Sequence, residues 1–310
     1  MIPTRGAVRS AALAGALLLA ACADRPPPPP EFSADRAWSH LVGQVAFGAR
    51  FAGAPGHRRQ LAWLVEELEF RADTVLRQEF TVTDSAGKAL KMTSLVARFR
   101  PELADRVLLV ANRDTRRRAD GSPEPLDRKF PVPGANLNAS GVAVLMEMAE
   151  LFRRQPPPVG VDLLLTDGDD YSREVQMRGT RHFIRSMPGY RPRYAVVLQA
   201  VADVHAAFPM DSVSAASAAG PARRMWDAAR ALRYDSVFVA RTTPAAPNQG
   251  PVLAAAGIPT VVVADREYGP LNERWHAADD LPRYLSKATL GVVGRTLAAT
   301  VYAETPAEAR

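Results

Sequence analysis

Two hydrophobic patterns run along the chain, and their order predicts its architecture. From Ser33 to Val45 and again from His57 to Phe70, apolar residues recur at helical spacing; Leu61, Leu64, Val65 and Leu68 mark the second stripe, and Ser33 is placed to cap the first helix. Strands are expected at 75–82 and 92–99, with Ser85-Ala86-Gly87-Lys88 as the hairpin turn between them. From there strand and helix alternate, starting from the five-residue apolar run 107–111: strand 107–111 with helix 142–154, strand 161–166 with helix 177–187, strand 194–198 with helix 220–232. A short strand at 236–240, a helix at 249–256, a strand at 259–264 and a last helix near 285–303 complete the pattern. Strands without polar alternation are buried on both faces. An opening hairpin followed by βαβ units therefore predicts one α/β domain over 33–305, with a short tail at 306–310. Its core is a mostly parallel mixed β-sheet with helices on both faces, a three-layer sandwich.

The chain before Ser33 has a different character. Arg5 and Arg9 precede the apolar run Ala11 to Ala21, which closes on Leu19-Ala20-Ala21-Cys22. A charged start, a short apolar stretch and small residues before the cut make residues 1–21 a signal peptide, too short to span a bilayer as a helix. Leu-Ala-Ala-Cys resembles the bacterial lipobox, which implies that Cys22 becomes a lipidated first residue. By the same resemblance, Ala23 after it implies the outer membrane of a Gram-negative cell. Residues 22–32, with Pro26 to Pro30, read as a stiff tether. The expectation is an exported lipoprotein of the cell envelope, facing the periplasm and held to the membrane through Cys22. As the chain's single cysteine, Cys22 also excludes an intrachain disulfide.

Composition narrows the function classes. The 310 residues are 47% hydrophobic and 23% charged, the balance of an ordinary globular protein. The formal net charge of +6 includes Arg5 and Arg9, and the remaining excess is arginine-dominated and scattered, as in Arg58-Arg59, Arg116-Arg117-Arg118, Arg153-Arg154 and Arg223-Arg224. No aromatic-basic stripe accompanies them, so the charges are read as solvated faces and no nucleic acid is expected.

Candidate chemistry lies where the strands end, because ligands in such sheets bind beyond the strand carboxyl ends. Asn112-Arg113-Asp114, Asp167-Gly168-Asp169-Asp170-Tyr171 and Leu198-Gln199 through Asp203 sit there, and Trp275-His276 follows the last strand at some distance. Tandem carboxylates and a distant histidine suggest a metal site or acid–base work, although Asp169-Asp170 alone is more often a solvated turn. The turn Pro133 to Gly141, opening a helix, is suited to close approach of a ligand. Ser140 within it lacks the Gly-x-Ser-x-Gly elbow of a nucleophile and is read as a small residue beside the sheet. His40, His57, His182 and His205 are given no chemical role.

In this order the segments resemble the zinc exopeptidases of the bacterial leucyl aminopeptidase type (metallopeptidase family 28, clan MH), which include the glutaminyl cyclases. The likeness runs from about Phe47 to Tyr302. It rests on Phe47-Gly48-Ala49-Arg50 through His57, the strand ending at Asp114, the turn Gly134 to Gly141, Asp167 to Tyr171, Leu198 to Asp203, Gly257-Ile258-Pro259 and Trp275-His276. The resemblance implies a zinc-exopeptidase-like (phosphorylase/hydrolase-like) sandwich. It also implies a metal centre with ligand positions at Asn112, Leu137, Asp170, Gln199 and His276, and a base at Asp169. Asp114, Trp275, Tyr171 and Asp203 would line or support the pocket. Only Asp170 and His276 keep the residue types that zinc favours; Asn112 and Gln199 are neutral amides and Leu137 cannot coordinate. Catalytic zinc takes three protein ligands and an open position. The expectation is therefore a lipid-anchored homologue without a catalytic metal or other cofactor, a binding protein for a peptide or amine ligand or for a partner. The alternative is residual aminopeptidase or glutaminyl-cyclase activity, with one zinc held by Asp170, His276 and a recruited Asp114 or Asp203. Oligomeric state is left open.

Overall fold

The computed structural model describes residues 28–306. The expected signal peptide, Cys22, the first part of the expected tether and nearly all of the expected tail lie outside the described residues.

Six strands form the main sheet: β1 (Thr74–Thr83), β2 (Ala89–Phe99), β3 (Arg106–Asn112), β4 (Gly160–Thr166), β5 (Tyr194–Gln199) and a last strand, β8 (Thr260–Ala264), in the order β1-β2-β4-β3-β5-β8. β1 and β2 make the antiparallel hairpin, and β2 joins β4 antiparallel. The β4-β3-β5-β8 block is parallel. Every residue of β3, β4, β5 and β8 is buried, as expected of mainly apolar strands covered on both faces. Alternate residues still serve opposite faces. Val107, Leu109 and Ala111 enter the larger core, while Leu108 and Val110 enter the second.

Helices α1 (Ala34–Ala46), α2 (Pro55–Glu69) and α3 (Gly141–Arg154) pack with the larger core, as do α6 (Ala219–Ala231) and α8 (Lys287–Tyr302). Helices α4 (Arg178–Ser186) and α7 (Gln249–Ala255) cover the other face through Phe183 and Leu253. Ser33 caps α1 as expected, its hydroxyl accepting from Arg36 N–H at 3.2 Å. Phe32, at the end of the expected tether, is already part of the core, its ring lying against Gly294 of α8.

The expected strand at 236–240 is irregular. Phe238 packs edge-on against Trp226 and beside Phe208, so its apolar neighbours reflect a loop pinned into the core rather than a ladder. The small parallel pair lies elsewhere, at β6 (Met210–Asp211) and β7 (Thr242–Thr243). The pattern also missed α5 (Ser212–Ser217), capped when Asp211 Oδ1 accepts from Ser214 N–H at 2.8 Å. Its hydroxyls guard the sheet edge: Val262 N–H donates to Ser214 Oγ at 2.8 Å and Thr260 N–H to Ser217 Oγ at 3.1 Å. These are β8 amides with no strand beyond them, and the contacts blunt an edge open to further pairing.

From β3 the chain crosses first to β4 on one side and later to β5 on the other. The crevice beyond the carboxyl ends of β3 and β5 is therefore the topological switch point where such sheets hold ligands.

Candidate functional site

The turn that opens α3 is built first, because the other site residues hang on it. Gly134 has φ +65°, and a Cβ there would come within 2.4 Å of Asn138 Oδ1. Residues Ala135–Ser140 then form a π-helical turn running straight into α3. Such turns are rare and concentrate at functional sites. Asp280, fully buried, holds this one: its carboxylate accepts from Asn136 N–H at 2.7 Å and Leu137 N–H at 3.2 Å, with Tyr268 O–H at 3.0 Å. Burial pushes its carboxyl up to about 6 despite those donors. Ser140 does more than stay small. Its hydroxyl donates to Asn136 O and accepts from Val201 N–H, joining the turn to the segment after β5.

The loops after β3 and β4 meet at Asp170. Arg116 Nε and Nη2 donate to Asp170 Oδ1 at 3.1 and 2.9 Å, and His276 Nε2 lies 3.1 Å from the same oxygen. Asn138 Nδ2 donates to Oδ2 at 3.3 Å. Burial alone would raise the Asp170 carboxyl, but His276, Arg116 and Asn138 outweigh it and hold it down at about 2. The other arm of Arg116 reaches Asp120 Oδ1 at 3.1 Å. A buried arginine, unseen in the sequence, is thus clamped on the central carboxylate. The sequence groups it with the solvated arginines, and Arg117 and Arg118 are exposed, but Arg116 is 3% exposed.

Asp169 faces away from Asp170 in its bonding: Thr180 donates to it through N–H at 3.0 Å and through its hydroxyl at 2.5 Å. Burial raises its carboxyl. Asp114 holds the Asn112 side chain through its main-chain carbonyl, which accepts from Asn112 Nδ2 at 3.1 Å, while its carboxylate is used elsewhere. The two carboxylate oxygens accept the backbone N–H groups of Asp169 and Asp170 at 3.1 and 3.0 Å, fixing that loop, and burial together with Asp167 raises the carboxyl well above the usual range. Behind it, fully buried Arg113 donates to Asp167 at 2.6 Å, and His57 Nε2 lies 2.8 Å from the same carboxylate. His57 is therefore an interior histidine. Three non-glycine residues around the crevice have left-handed backbones, Met177, Ala200 and His276, at φ +52°, +53° and +54°. Such conformations cluster where the surrounding structure over-determines them.

Asn112, Arg116, Asp169, Asp170, Gln199 and His276 line one cavity of about 30 Å³. That is room for roughly one water molecule. Three amide oxygens among its lining residues, Asn112 Oδ1, Gln199 Oε1 and Gln249 Oε1, have no hydrogen-bond partner among the described residues. Such a set is suited to accepting from one small donor. Leu137 is buried in the turn and is not among the residues that line this cavity. Tyr171 belongs to a small apolar cluster with Ala52, Leu90, Met92 and Val175, and lines a neighbouring cleft instead. Trp275 stands at the rim beside His276, and Asp203 lines a different, larger cavity. Among the described residues no three His, Cys, Asp or Glu side chains are grouped to hold a metal ion. The recruited ligands of the alternative expectation are thus not assembled: Asp114 is committed to backbone amides, and Asp203 lies in the other cavity.

Comparison with known proteins follows the same lines. The sequence model of peptidase family M28 matches residues 94–301. The chain is similar to a crystal structure of a Zn-dependent exopeptidase from Parabacteroides distasonis, with 27% identity and a TM-score of 0.85 over 89% of this chain and 100% of that one. It is also similar to a glutaminyl cyclase of Porphyromonas gingivalis, 30% identical with a TM-score of 0.83 over 87% and 97% of the two chains. A leucine aminopeptidase precursor from Bacteroides thetaiotaomicron is 27% identical, with a TM-score of 0.84 over 89% and 99%. Comparison with curated protein sequences gives no match.

Proposed function

Because the chain belongs to peptidase family M28, we propose that it is a non-catalytic member of that family, in which an internal ion pair takes the place of the metal centre and the crevice serves binding. The supporting observation is Arg116, whose guanidinium occupies Asp170 Oδ1 from two nitrogens while His276 approaches the same oxygen. A divalent cation would have to displace a buried, always-charged arginine that already neutralises the carboxylate. Zinc does not suit what remains, since amide oxygens are weak donors for it and Leu137 has no donor at all. No hydrolytic or cyclising step is assigned to these residues. The ligand class is a peptide or amine, bound without turnover. Attachment through a lipidated Cys22 to the cell envelope, periplasm-facing at the outer membrane, belongs to the same proposal and is supported by the Leu19-Ala20-Ala21-Cys22 sequence. Labelling with a radioactive fatty acid should mark the wild type and not Cys22→Ala.

Elemental analysis of purified, dialysed protein tests the central point. The expected result is well below one zinc per chain, with no turnover of aminoacyl or glutaminyl substrates whatever metal is added. About one zinc per chain, lost in His276→Ala and accompanied by chelator-sensitive turnover, would sink the reading in favour of a mononuclear enzyme.

A further inference from the structure

A second cavity that bears on the strand ends is separate from the Asp170 cluster. It measures about 580 Å³ and lies beyond β5 and β8, between the segment after Gln199 and the loop after Ala264. A volume in this range fits a small organic molecule rather than a bare ion. Two carboxylates that line it are almost wholly buried: Asp203 is 2% exposed and Asp265 is 1% exposed. Asp265 Oδ1 accepts from Glu267 N–H at 3.0 Å, but its Oδ2, also enclosed, has no hydrogen-bond partner among the described residues. A buried carboxylate oxygen left without a donor is costly in a folded protein.

The arginines along the same wall do not supply the missing donor. Arg274 is laid over the Tyr284 ring, 3.7 Å from its centroid, Arg241 pairs with Glu267, and Arg266 donates to Pro244 O. Burial, with the Asp203 charge adding to it, outweighs the backbone N–H groups of Glu267 and Arg266 and pushes the Asp265 carboxyl up to about 7. The rim adds an apolar element. Leu271 and Asn272 have consecutive left-handed backbones, φ +51° and +60°, and the Leu271 side chain stands fully in solvent beside Pro270 at the cavity mouth. A strained turn that holds an aliphatic side chain outward is unexplained by packing.

We propose that this cavity is a binding site for a small aliphatic primary amine, whose ammonium group donates to Asp265 and lies against Asp203 while its apolar tail contacts Leu271 and Pro270. This gives the binding half of the proposed function a location, and it rests on that reading only for the ligand class. The two cavities share no lining residue, so the zinc content of the Asp170 cluster and amine binding here are decided independently.

The test is calorimetric titration of the full mature protein with n-butylamine, methylamine and n-butanol, with thermal melts alongside. Saturable binding of n-butylamine and none of the isosteric alcohol is expected. Asp265→Asn and Asp203→Asn should each weaken n-butylamine about tenfold or more, the usual loss for a charged hydrogen-bond partner. Asp265→Asn should melt no lower than the wild type, since it removes a buried unpaired charge. If it fails to fold, Asp203→Asn carries the comparison. Leu271→Ala, on the exposed rim, should weaken n-butylamine and leave methylamine unchanged. Equal binding of the amine and the alcohol, no saturable heat with n-butylamine, or full affinity in a folded Asp265→Asn and Asp203→Asn protein would overturn the assignment.

Discussion

At the scale of single residues, the molecule turns on Arg116. Asp170 and His276 could be placed in the sequence because both follow strand ends in a recognisable order, and Asn112, Leu137 and Gln199 because they stand where ligands are expected. Arg116 could not, since three consecutive arginines look alike in a sequence and only the fold decides which one turns inward. The side chains of Arg116 and Asp170 are 3% and 10% exposed, so their attraction is little screened. Breaking a buried pair leaves an uncompensated charge, and Arg116→Gln is expected to cost about 3 kcal/mol in urea denaturation. Adding Asp170→Asn to that variant should recover most of the loss, because the stranded charge is then gone. An Arg116→Gln protein within about 0.5 kcal/mol of the wild type, the range of ordinary surface substitutions, would mean that the pair contributes nothing to the folded state.

Among elements, the legible ones were those whose burial is written as composition. β3 and β4 are dominated by the apolar runs Val107–Ala111 and Leu163–Leu165 because both faces are covered, and the sequence shows that directly. What it does not show is an element held by hydroxyls and backbone. α5 is a short run of serine and alanine with a single valine, Val213, and no apolar stripe, held by Asp211 and by the β8 edge it caps. The segment 236–240 failed in the opposite way, because apolar residues pinning a loop imitate a strand. The junction of the π-helical turn with α3 is also set by close approach rather than by pattern. A Cβ on Gly141 would meet Leu198 O at 2.7 Å and Ala111 Cβ at 3.2 Å. Helix propensity would favour Gly141→Ala by about 1 kcal/mol. The contact with the β5 backbone predicts the reverse, a net loss of about 1–3 kcal/mol from overpacking, readable as a lower midpoint in chemical denaturation. A gain in stability would show that α3 can move off the sheet at no cost.

Over the whole molecule, the carboxylates do not agree on the pH they prefer, and their balance makes a prediction. Asp170 is held at about 2 against an ordinary value of 3.8, so its contribution to stability is present above about pH 4 and lost as pH falls toward 2. Asp280 and Asp265 are raised by burial, to about 6 and about 7. For them the sign is opposite: the folded state binds the proton more tightly, so stability is full below the unfolded value and is lost as pH rises through 6 and 7. Asp114 and Asp169, raised in the same direction by burial, add to that alkaline limb. Thermal stability should therefore peak on the acid side, at about pH 4–5, and fall by several degrees toward pH 8. Asp265→Asn should flatten the fall between about pH 5 and 8 by on the order of 2 kcal/mol, a figure discounted for relaxation around the site. Its effect on the limb below pH 4, which belongs to Asp170 and to Asp167, also lowered against its burial by Arg113 and His57, should be small. A melting temperature that climbs steadily from pH 5 to 8 would show that these buried carboxylates find cations or water in solution, and that their burial does not set the stability of the fold.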